Sequence, residues 1–331
     1  MADNGIAKVQ HYVPQFMLRQ FGTGKKDYLH VFDKSTGRTF MSNAKNVASE
    51  SRFYDFQFED ATLTIEPALS SIESTVKPLL QRLATEGSVR GLTAQERASL
   101  SAFFAVQFTR TKNFRERHRS MTSMILERVK AMSPSEEAFS EFMKGVPTQD
   151  ENEVKKFNAH TVMSAPREFG PLFNNKTWHV LSTTAKHPFL IGDNPIALQN
   201  MNQMRPYGNL GLAVRGIEIY LPLTPDRALA MWCPSIAEQF IHGARQIHDL
   251  RARAPGLLKR LSDPEGIERM AVAMSSGSML TYEPVHVENF NALQISNAER
   301  YVFSNGDNFE LTRAMLSAHP HLVRGPRMRG A

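Results

Sequence analysis

The order of strand-like and helix-like segments constrains the fold of this chain more than any single motif does. Short segments that alternate apolar and polar residues between turn residues predict strands, and longer segments with a 3.6-residue period predict helices. The predicted strands are YLHVFD, RTFM, FYDFQF (53–58), WHVLST, PFLIG, IEIYLPL and ALAMW. The predicted helices are Glu66 to about Leu83, Thr93 to about Met132, 134–144, 149–163, 235–253, 263–275 and 284–300. Thr93 and Glu96 match the capping box that marks the start of a helix.

Strands and helices therefore occur in blocks, without the strict alternation of a doubly wound parallel sheet. This order is typical of the α+β class. We predict an α+β fold, with a single mixed domain over residues 1–331, a central helical layer and short, mainly antiparallel strands. We also expect a soft joint near 145–175 and a flexible basic C-terminal tail at 318–331.

Composition excludes several classes of protein. Apolar residues make up 41% of the chain and charged residues 22%, as in folded globular proteins rather than disordered ones. No segment approaches the roughly 18 continuous apolar residues of a membrane span, so we expect no membrane partner. The first residues, MADNGIAKVQ, lack the apolar centre of a secretory signal. A single cysteine, Cys233, excludes an internal disulfide and favours a reducing, cytoplasmic setting.

Positive charge is concentrated in three places. The net charge is +6, which favours polyanionic partners such as nucleic acid. The clustered basic residues are Arg110, Lys112, Arg115, Arg117, His118 and Arg119; Arg245, Arg251, Arg253, Lys259 and Arg260; and Arg324, Arg327 and Arg329. Each cluster is also explained as a solvated basic face. The sequence leaves the oligomeric state open, a homo-oligomer included.

The stretch HYVPQFMLRQF predicts a short first helix that begins at Pro14 and ends at Phe21, because proline suits the first helical turn. Gln15 and Arg19 are four residues apart and share a face of this helix. His11 would lie just outside its N-terminus, where backbone N–H groups favour an anion such as phosphate. The alternative is an exposed polar face with a histidine that caps or packs.

The helix that begins LSAFFAVQFTR places polar residues on an apolar face. Stepping 100° per residue from Leu100 puts Gln107 at the centre of that face and Arg110 at its edge. A buried amide costs roughly 1–3 kcal/mol unless it is hydrogen-bonded, so Gln107 needs a partner, either a ligand or a backbone group. Arg110 beside it could bind a phosphate or carboxylate through its guanidinium.

Carboxylates suggest a cation site. Glu66 and Glu73 are seven residues apart and border the apolar stripe of one helix, where they could hold Mg²⁺ or share a proton. Buried ion pairs with Arg19 or Arg110 explain them equally well. In FLIGDNPIA, Asp193 and Asn194 follow a strand, where Asp193 could act as a metal ligand or general base. Ordinary turn chemistry is the alternative for both.

Several segments resemble a bacterial family known as the domain of unknown function number 4238. Its members typically begin HYVPQ, an aromatic residue, any residue, and then L-R-x-F, which is similar to the opening stretch here. The further similar segments are VFDKSTGRTF with FYDF, TIEPALSSIE, FFAVQFTRT, PFLIGDNPIA, LPLTPDRALAM and NALQISNAERYVFS. They span roughly residues 9–304, so the resemblance covers nearly the whole chain. It implies no established activity.

We predict a phosphodiester-cleaving enzyme, a nuclease acting on RNA or DNA, for which phage defence or a toxin role is a suitable setting. The predicted catalytic residues are His11, Gln107, Arg110 and Asp193; the predicted substrate contacts are Gln15, Arg19, Asn194 and Arg115; and the predicted Mg²⁺ ligands are Glu66, Glu73 and Asp193. The alternatives are a non-catalytic nucleic-acid-binding or regulatory protein, which contacts phosphate through its basic helices, and a sensor of phosphate-containing small ligands.

Overall fold

A computed structural model describes residues 8–146, 150–202 and 209–327 of the chain. Arg329 and Pro147, which fall in predicted features, lie outside the described residues. The strands are β1 Val9–His11, β2 Tyr28–Asp33, β3 Arg38–Asn43, β4 Ser49–Ser51, β5 Asp55–Phe58, β6 Ala61–Thr64, β7 Thr177–Ser182, β8 Ile191–Gly192, β9 Ala197–Asn200, β10 Ile217–Thr224, β11 Arg227–Trp232, β12 Leu280–Thr281 and β13 Tyr301–Ser304. The helices are α1 Gln15–Arg19, α2 Glu66–Glu86, α3 Ala94–Thr109, α4 Lys112–Met132, α5 Glu136–Lys144, α6 Glu151–Glu168, α7 Gly170–Asn174, α8 Pro234–Arg253, α9 Pro255–Leu258, α10 Pro264–Ser276, α11 Pro284–Asn297 and α12 Glu310–Ala318.

The strands form small, mainly antiparallel sheets, which confirms the predicted α+β class. One sheet has the order β3-β2-β13-β8, and a second has the order β12-β7-β11-β10-β9. In the second sheet only the β12–β7 pair is parallel. Two further antiparallel pairs, β1–β4 and β5–β6, lie in the N-terminal part of the chain.

Helix α3 lies in the core between α2, α6 and α7. Its N-terminus carries the predicted capping box, in which Thr93 accepts from the Glu96 N–H and Glu96 accepts from the Thr93 N–H. Leu100, Phe103 and Phe104 are fully buried, because this helix is apolar on most of its circumference. The buried aromatic rings contact the neighbouring helix α7 and strand β7, so α3 anchors the parts of the chain that follow it.

The prediction of one continuous helix from Thr93 to about Met132 is wrong at its middle. Helix α3 ends at Thr109, and α4 begins at Lys112 with Thr111 as its N-cap. The Thr111 side chain accepts from the Phe114 N–H, which satisfies one of the unpaired donors of the new helix. Helical periodicity on both sides of a break does not reveal the break itself. Because of this break, Arg110 lies at the junction between α3 and α4.

The segments at 145–175 and 318–327 contain regular structure. Helices α6 and α7 occupy most of the first, and a 3₁₀ turn at Pro320–Val323 lies in the second. The predicted joint, the single-domain extent and the flexible tail remain predictions.

Candidate functional site

Arg110 is the centre of the candidate site. Its side chain is 1% exposed, and every nitrogen of its guanidinium donates to a protein group. Nη1 donates to Oε1 of Glu73 over 2.7 Å, Nη2 to the carbonyl oxygen of His11 over 2.6 Å, and Nε to the hydroxyl of Tyr54 over 3.1 Å. A buried cation is costly unless it is paired and hydrogen-bonded, so these three partners explain how Arg110 is accommodated. They join α2, β1 and the segment after β4.

His11 presents a neutral imidazole next to this group. Its Nε2 lies 3.1 Å from the carbonyl oxygen of Lys45, which can only accept, so Nε2 carries the proton and Nδ1 has a lone pair. Nδ1 faces the amide nitrogen of Gln15 over a long 3.4 Å. Burial lowers the pKa of His11 and the charge of Arg110 lowers it further, whereas the charge of Glu73 opposes them. The imidazole is therefore an uncharged base near neutral pH.

Gln15 and Arg19 extend the site toward solvent. They are four residues apart on the five-residue helix α1, and Arg19 Nη2 donates to Gln15 Oε1 over 2.8 Å. Arg19 is exposed, so its other N–H groups face water. A short chain of hydrogen bonds thus runs from Arg19 through Gln15 to His11.

Glu66 and Glu73 lie on the same side of α2, as their spacing predicted. Glu73 pairs with Arg110, which is the ion-pair alternative stated for it above. Glu66 differs, because its Oε2 is buried without a hydrogen-bond partner in the described part of the chain. Burial raises the pKa of Glu66, and the charges of Glu73 and Asp55 add to this, although Arg110 opposes them. Glu66 therefore keeps its proton to a higher pH than an ordinary glutamate.

Two residues that support the site carry no signal in the sequence. Tyr54 is fully buried against Arg110, and burial raises the pKa of its hydroxyl to about 12. Gln10 accepts from the Tyr54 N–H over 2.6 Å and donates to Oδ1 of Asp55 over 2.6 Å. The pattern FYDF indicated only a strand, and β1 is too short to show a period. Their roles depend on contacts between distant segments.

Gln107 is completely buried, as the helical periodicity predicted, and the backbone is its partner. Its Nε2 donates to the carbonyl oxygen of Tyr12 over 3.1 Å, while its Oε1 has no partner among the described residues. Gln107 and Arg110 therefore hold adjacent carbonyl groups, those of Tyr12 and His11. Both side chains therefore fix the backbone position of His11 and Tyr12.

Asp193 belongs to a different group of contacts. Its carboxylate accepts from the backbone N–H groups of Glu299 over 2.6 Å and of Arg300 and Tyr301 over 3.0 Å each. Burial raises the pKa of Asp193 to about 6, although these hydrogen bonds and the charge of Lys34 oppose the shift. The Lys34 ammonium donates to carbonyl oxygens at the end of α11. Asp193 thus fixes the turn between α11 and β13.

Asn194 and Arg115 are also engaged by protein groups other than those that contact Arg110. Asn194 accepts from the Thr111 hydroxyl over 2.9 Å and donates to the carbonyl oxygen of Asn297 over 3.2 Å. Arg115 donates to Glu50 over 2.8 Å, and its guanidinium lies 4.0 Å above the Phe53 ring.

The structure therefore joins some predicted site residues and separates others. His11, Gln15, Arg19, Glu66, Glu73 and Arg110 form one group, with Gln107 beneath it, and Asp193, Asn194 and Arg115 contact other residues. The three carboxylates predicted to share Mg²⁺ do not converge. In the part of the chain that the structure describes, no three His, Cys, Asp or Glu side chains are grouped so that they could hold a metal ion.

The two basic helices differ in how far acidic residues neutralise them. On α4, Lys112 and Arg115 share Glu50, and Arg119 pairs with Glu116 and Glu151. Around α8 and α9, Arg251 pairs with Glu268 over 2.7 Å. The cations there that form no ion pair within the described ranges are Arg245, Arg253, Lys259 and Arg260.

Comparison with known proteins gives one match. A family model described as Protein of unknown function (DUF4238) matches residues 9–308. No curated protein and no solved structure matches the chain. Each helix within 8–146, 150–202 and 209–327 is too short or too polar to span a membrane.

Proposed function

The chain belongs to the DUF4238 family of proteins of unknown function, and from its own side chains we propose that it is a phosphodiester-cleaving enzyme acting on RNA or DNA. One observation carries this proposal. A neutral histidine and a carboxyl group with a raised pKa, His11 and Glu66, both lie within electrostatic reach of the buried guanidinium of Arg110. Proton transfer to and from a phosphodiester requires a base and an acid, and these two side chains both interact electrostatically with the same guanidinium.

His11 is the general base. Its Nδ1 lone pair faces only the weak 3.4 Å contact with Gln15, which an attacking hydroxyl group can replace. The lowered pKa keeps the imidazole neutral and able to accept a proton at pH 7. The hydrogen bond from Nε2 to Lys45 holds the ring in the required tautomer.

Glu66 is the general acid. As the hydroxyl oxygen bonds to phosphorus, its proton passes to His11, the bond from phosphorus to the leaving oxygen breaks, and Glu66 gives its proton to that oxygen. The raised pKa means that a larger fraction of Glu66 is protonated near neutral pH than is usual for a carboxyl group. The step balances within these two side chains and the substrate.

The other members of the group bind or position. Arg19 is exposed and oriented by Gln15, so it is the cation best placed to contact a substrate phosphate. Arg110 and Gln107 are positioning residues, because they hold the backbone of His11 and Tyr12.

RNA fits this acid–base pair better than DNA does. In RNA the 2′-hydroxyl lies next to the phosphorus and is the nucleophile, so one base and one acid complete the transfer. In DNA the nucleophile is water, which must be both positioned and activated. Phage defence or a toxin role in the cytoplasm is the setting we propose for such an activity.

A second candidate function has a separate observation in its favour. Four of the cations around α8 and α9 (Arg245, Arg253, Lys259 and Arg260) have no acidic partner within the described residues, as a surface that contacts nucleic-acid phosphates requires. A non-catalytic nucleic-acid-binding or regulatory protein would use this surface to contact several phosphate groups. A sensor of phosphate-containing small ligands would need fewer contacts to phosphate than a nucleic-acid-binding protein. Both predict binding without turnover.

The test is incubation of the purified protein with end-labelled RNA and DNA, with and without EDTA. We expect cleavage of RNA, and a loss of at least 100-fold in rate for His11→Ala and for Glu66→Gln. His242→Ala, which alters an exposed histidine on α8, is the matched control and should cleave as the wild type does. Activity that survives in the His11→Ala/Glu73→Ala double variant refutes these roles. Salt-dependent binding with no cleavage of either polymer supports the second candidate.

A further inference from the structure

The segment just after the last 3₁₀ turn is built into the protein surface. Gly325 packs so closely against α4 that a Cβ at this position would overlap the Asn113 amide and lie 2.8 Å from Oε2 of Glu299. Arg327 then donates to both oxygens of Glu299, over 2.9 and 2.5 Å. Since Glu299 is itself buried, this ion pair holds the Arg327 guanidinium in a fixed place.

Arg117 is the exception among the cations of the basic segment at 110–119. Arg110, Lys112, Arg115 and Arg119 each have a carboxylate partner. Arg117 is half-buried and forms no hydrogen bond or ion pair within residues 8–146, 150–202 and 209–327. As far as the described residues go, all the N–H groups of its guanidinium are available to a ligand.

Arg117 lies one helical turn along α4 from Asn113, a residue that contacts the carboxylate to which Arg327 is bound. Asn113 and Arg117 are four residues apart on α4 and share a face, and Asn113 donates over 2.9 Å to the same Glu299 that binds Arg327. Burial lowers the pKa of Arg117, and the charge of Arg327 lowers it further, as expected for two cations in proximity. The nearby Glu116 is engaged by Arg119 at 3.3 Å. Within the described residues, the charge of Arg117 is therefore left without a paired carboxylate.

We infer that Arg117 and Arg327 form a binding site for a phosphate-type oxyanion, separate from the group around His11. Arg117 supplies the guanidinium that binds two oxygens, and Arg327, fixed by Glu299, adds charge and its free Nε–H. Planar guanidinium groups match the spacing of phosphate oxygens. The anion would relieve the repulsion between the two arginines, so binding and stability are coupled. This inference does not depend on catalysis.

The experiment is isothermal titration calorimetry with inorganic phosphate, together with thermal unfolding in phosphate-free buffer and in phosphate, at constant ionic strength. Arg117→Gln should weaken phosphate binding at least tenfold. It should also unfold at a higher temperature than the wild type without phosphate, because the repulsion from the charge of Arg327 is gone. Arg117→Lys keeps the charge but not the two-oxygen geometry, so its affinity should be intermediate. The matched control is Arg128→Gln, which changes an exposed arginine on the same helix that forms no ion pair with any described residue, and it should bind as the wild type does.

The source of the phosphate is tested with one oligonucleotide, prepared with and without a 5′-phosphate. Binding that needs both the 5′-phosphate and Arg117 indicates a nucleic-acid end, whereas binding of inorganic phosphate alone indicates a free ion. Equal phosphate affinity in the wild type and Arg117→Gln overturns the inference, as does a wild type that binds no phosphate. So does an Arg117→Gln protein that unfolds at a lower temperature than the wild type without phosphate.

Discussion

The ion pair between Arg110 and Glu73 permits a sharp test of how the candidate site is held together. Glu73→Gln removes the negative charge and leaves the Arg110 cation buried at 1% exposure. Loss of one partner of a fully buried pair costs about 3–5 kcal/mol. The Glu73 side chain is 25% exposed, and glutamine can still accept a neutral hydrogen bond worth about 1 kcal/mol. We therefore expect the free energy of unfolding to fall by about 2–3 kcal/mol.

The chain offers a matched control in the pair between Arg82 and Glu96. Glu96 is also 25% exposed, but its arginine partner is 33% exposed rather than 1%. Glu96→Gln likewise replaces a carboxylate by an amide. It keeps the capping box, because glutamine can also accept the hydrogen bond from the Thr93 N–H. The difference between the two variants thus isolates the burial of the guanidinium.

The assay is equilibrium urea unfolding followed by circular dichroism, on both variants and on Glu73→Gln in an Arg110→Met background. With no buried cation left to neutralise, Glu73→Gln should cost less than about 0.5 kcal/mol in that background. If Glu73→Gln is no more destabilising than Glu96→Gln, or costs the same with methionine at position 110, the assignment of Arg110 as a charge-dependent positioning residue is wrong.

Three further outcomes are expected. His179 is fully buried with both ring nitrogens unpartnered in the described residues, and burial lowers its pKa to about 4. Between pH 6.5 and 4 the unfolded chain therefore binds a proton that the folded protein does not, so His179 lowers the free energy of unfolding by about 3 kcal/mol as pH falls through that window. In urea titrations, His179→Leu should flatten the pH dependence of the free energy of unfolding. At pH 7 it should leave that free energy equal or higher. The rate of cleavage should follow a bell-shaped pH profile, because it rises as His11 loses its proton at a pKa below 6.5 and falls as Glu66 loses its proton at a pKa above 4.5. The residual cleavage by Glu66→Gln should no longer fall at high pH. Gly325→Ala should lower the melting temperature, because the new Cβ overlaps the Asn113 amide, and an unchanged melting temperature would show that the C-terminal segment does not pack as described.

Local sequence signals explain the features that were predicted correctly. The capping box at Thr93 and the burial of Gln107 follow from residue types a few positions apart, and both are confirmed. The ion-pair alternative for Glu73 also holds, because a carboxylate on the border of an apolar stripe needs a cation within reach. The choice of Arg110 rather than Arg19 as that cation could not be made from spacing.

Contacts between distant segments explain what was missed. Arg110 and His11 are 99 residues apart in sequence, and the β1–β4 pair that presents His11 has only three residues in each strand. Strands this short show no period, and a backbone carbonyl that accepts a hydrogen bond leaves no mark on residue types. Asp193 shows the same limit, since a carboxylate that accepts three backbone N–H groups looks in sequence like one that binds a metal.

The break between α3 and α4 connects these observations. Had the helix continued past Thr109, residues 110 and 111 would have remained inside it, with their backbone groups committed to the helix. The break instead lets Thr111 cap α4 and bind Asn194, while Arg110, at the end of α3, reaches Glu73, Tyr54 and His11. One junction thus fixes the His11 group on one side and the Asn194 contacts on the other. A variant that removes the cap, Thr111→Val, should lower the rate of cleavage and the stability together, whereas a fall in stability alone would show that the junction does not position His11.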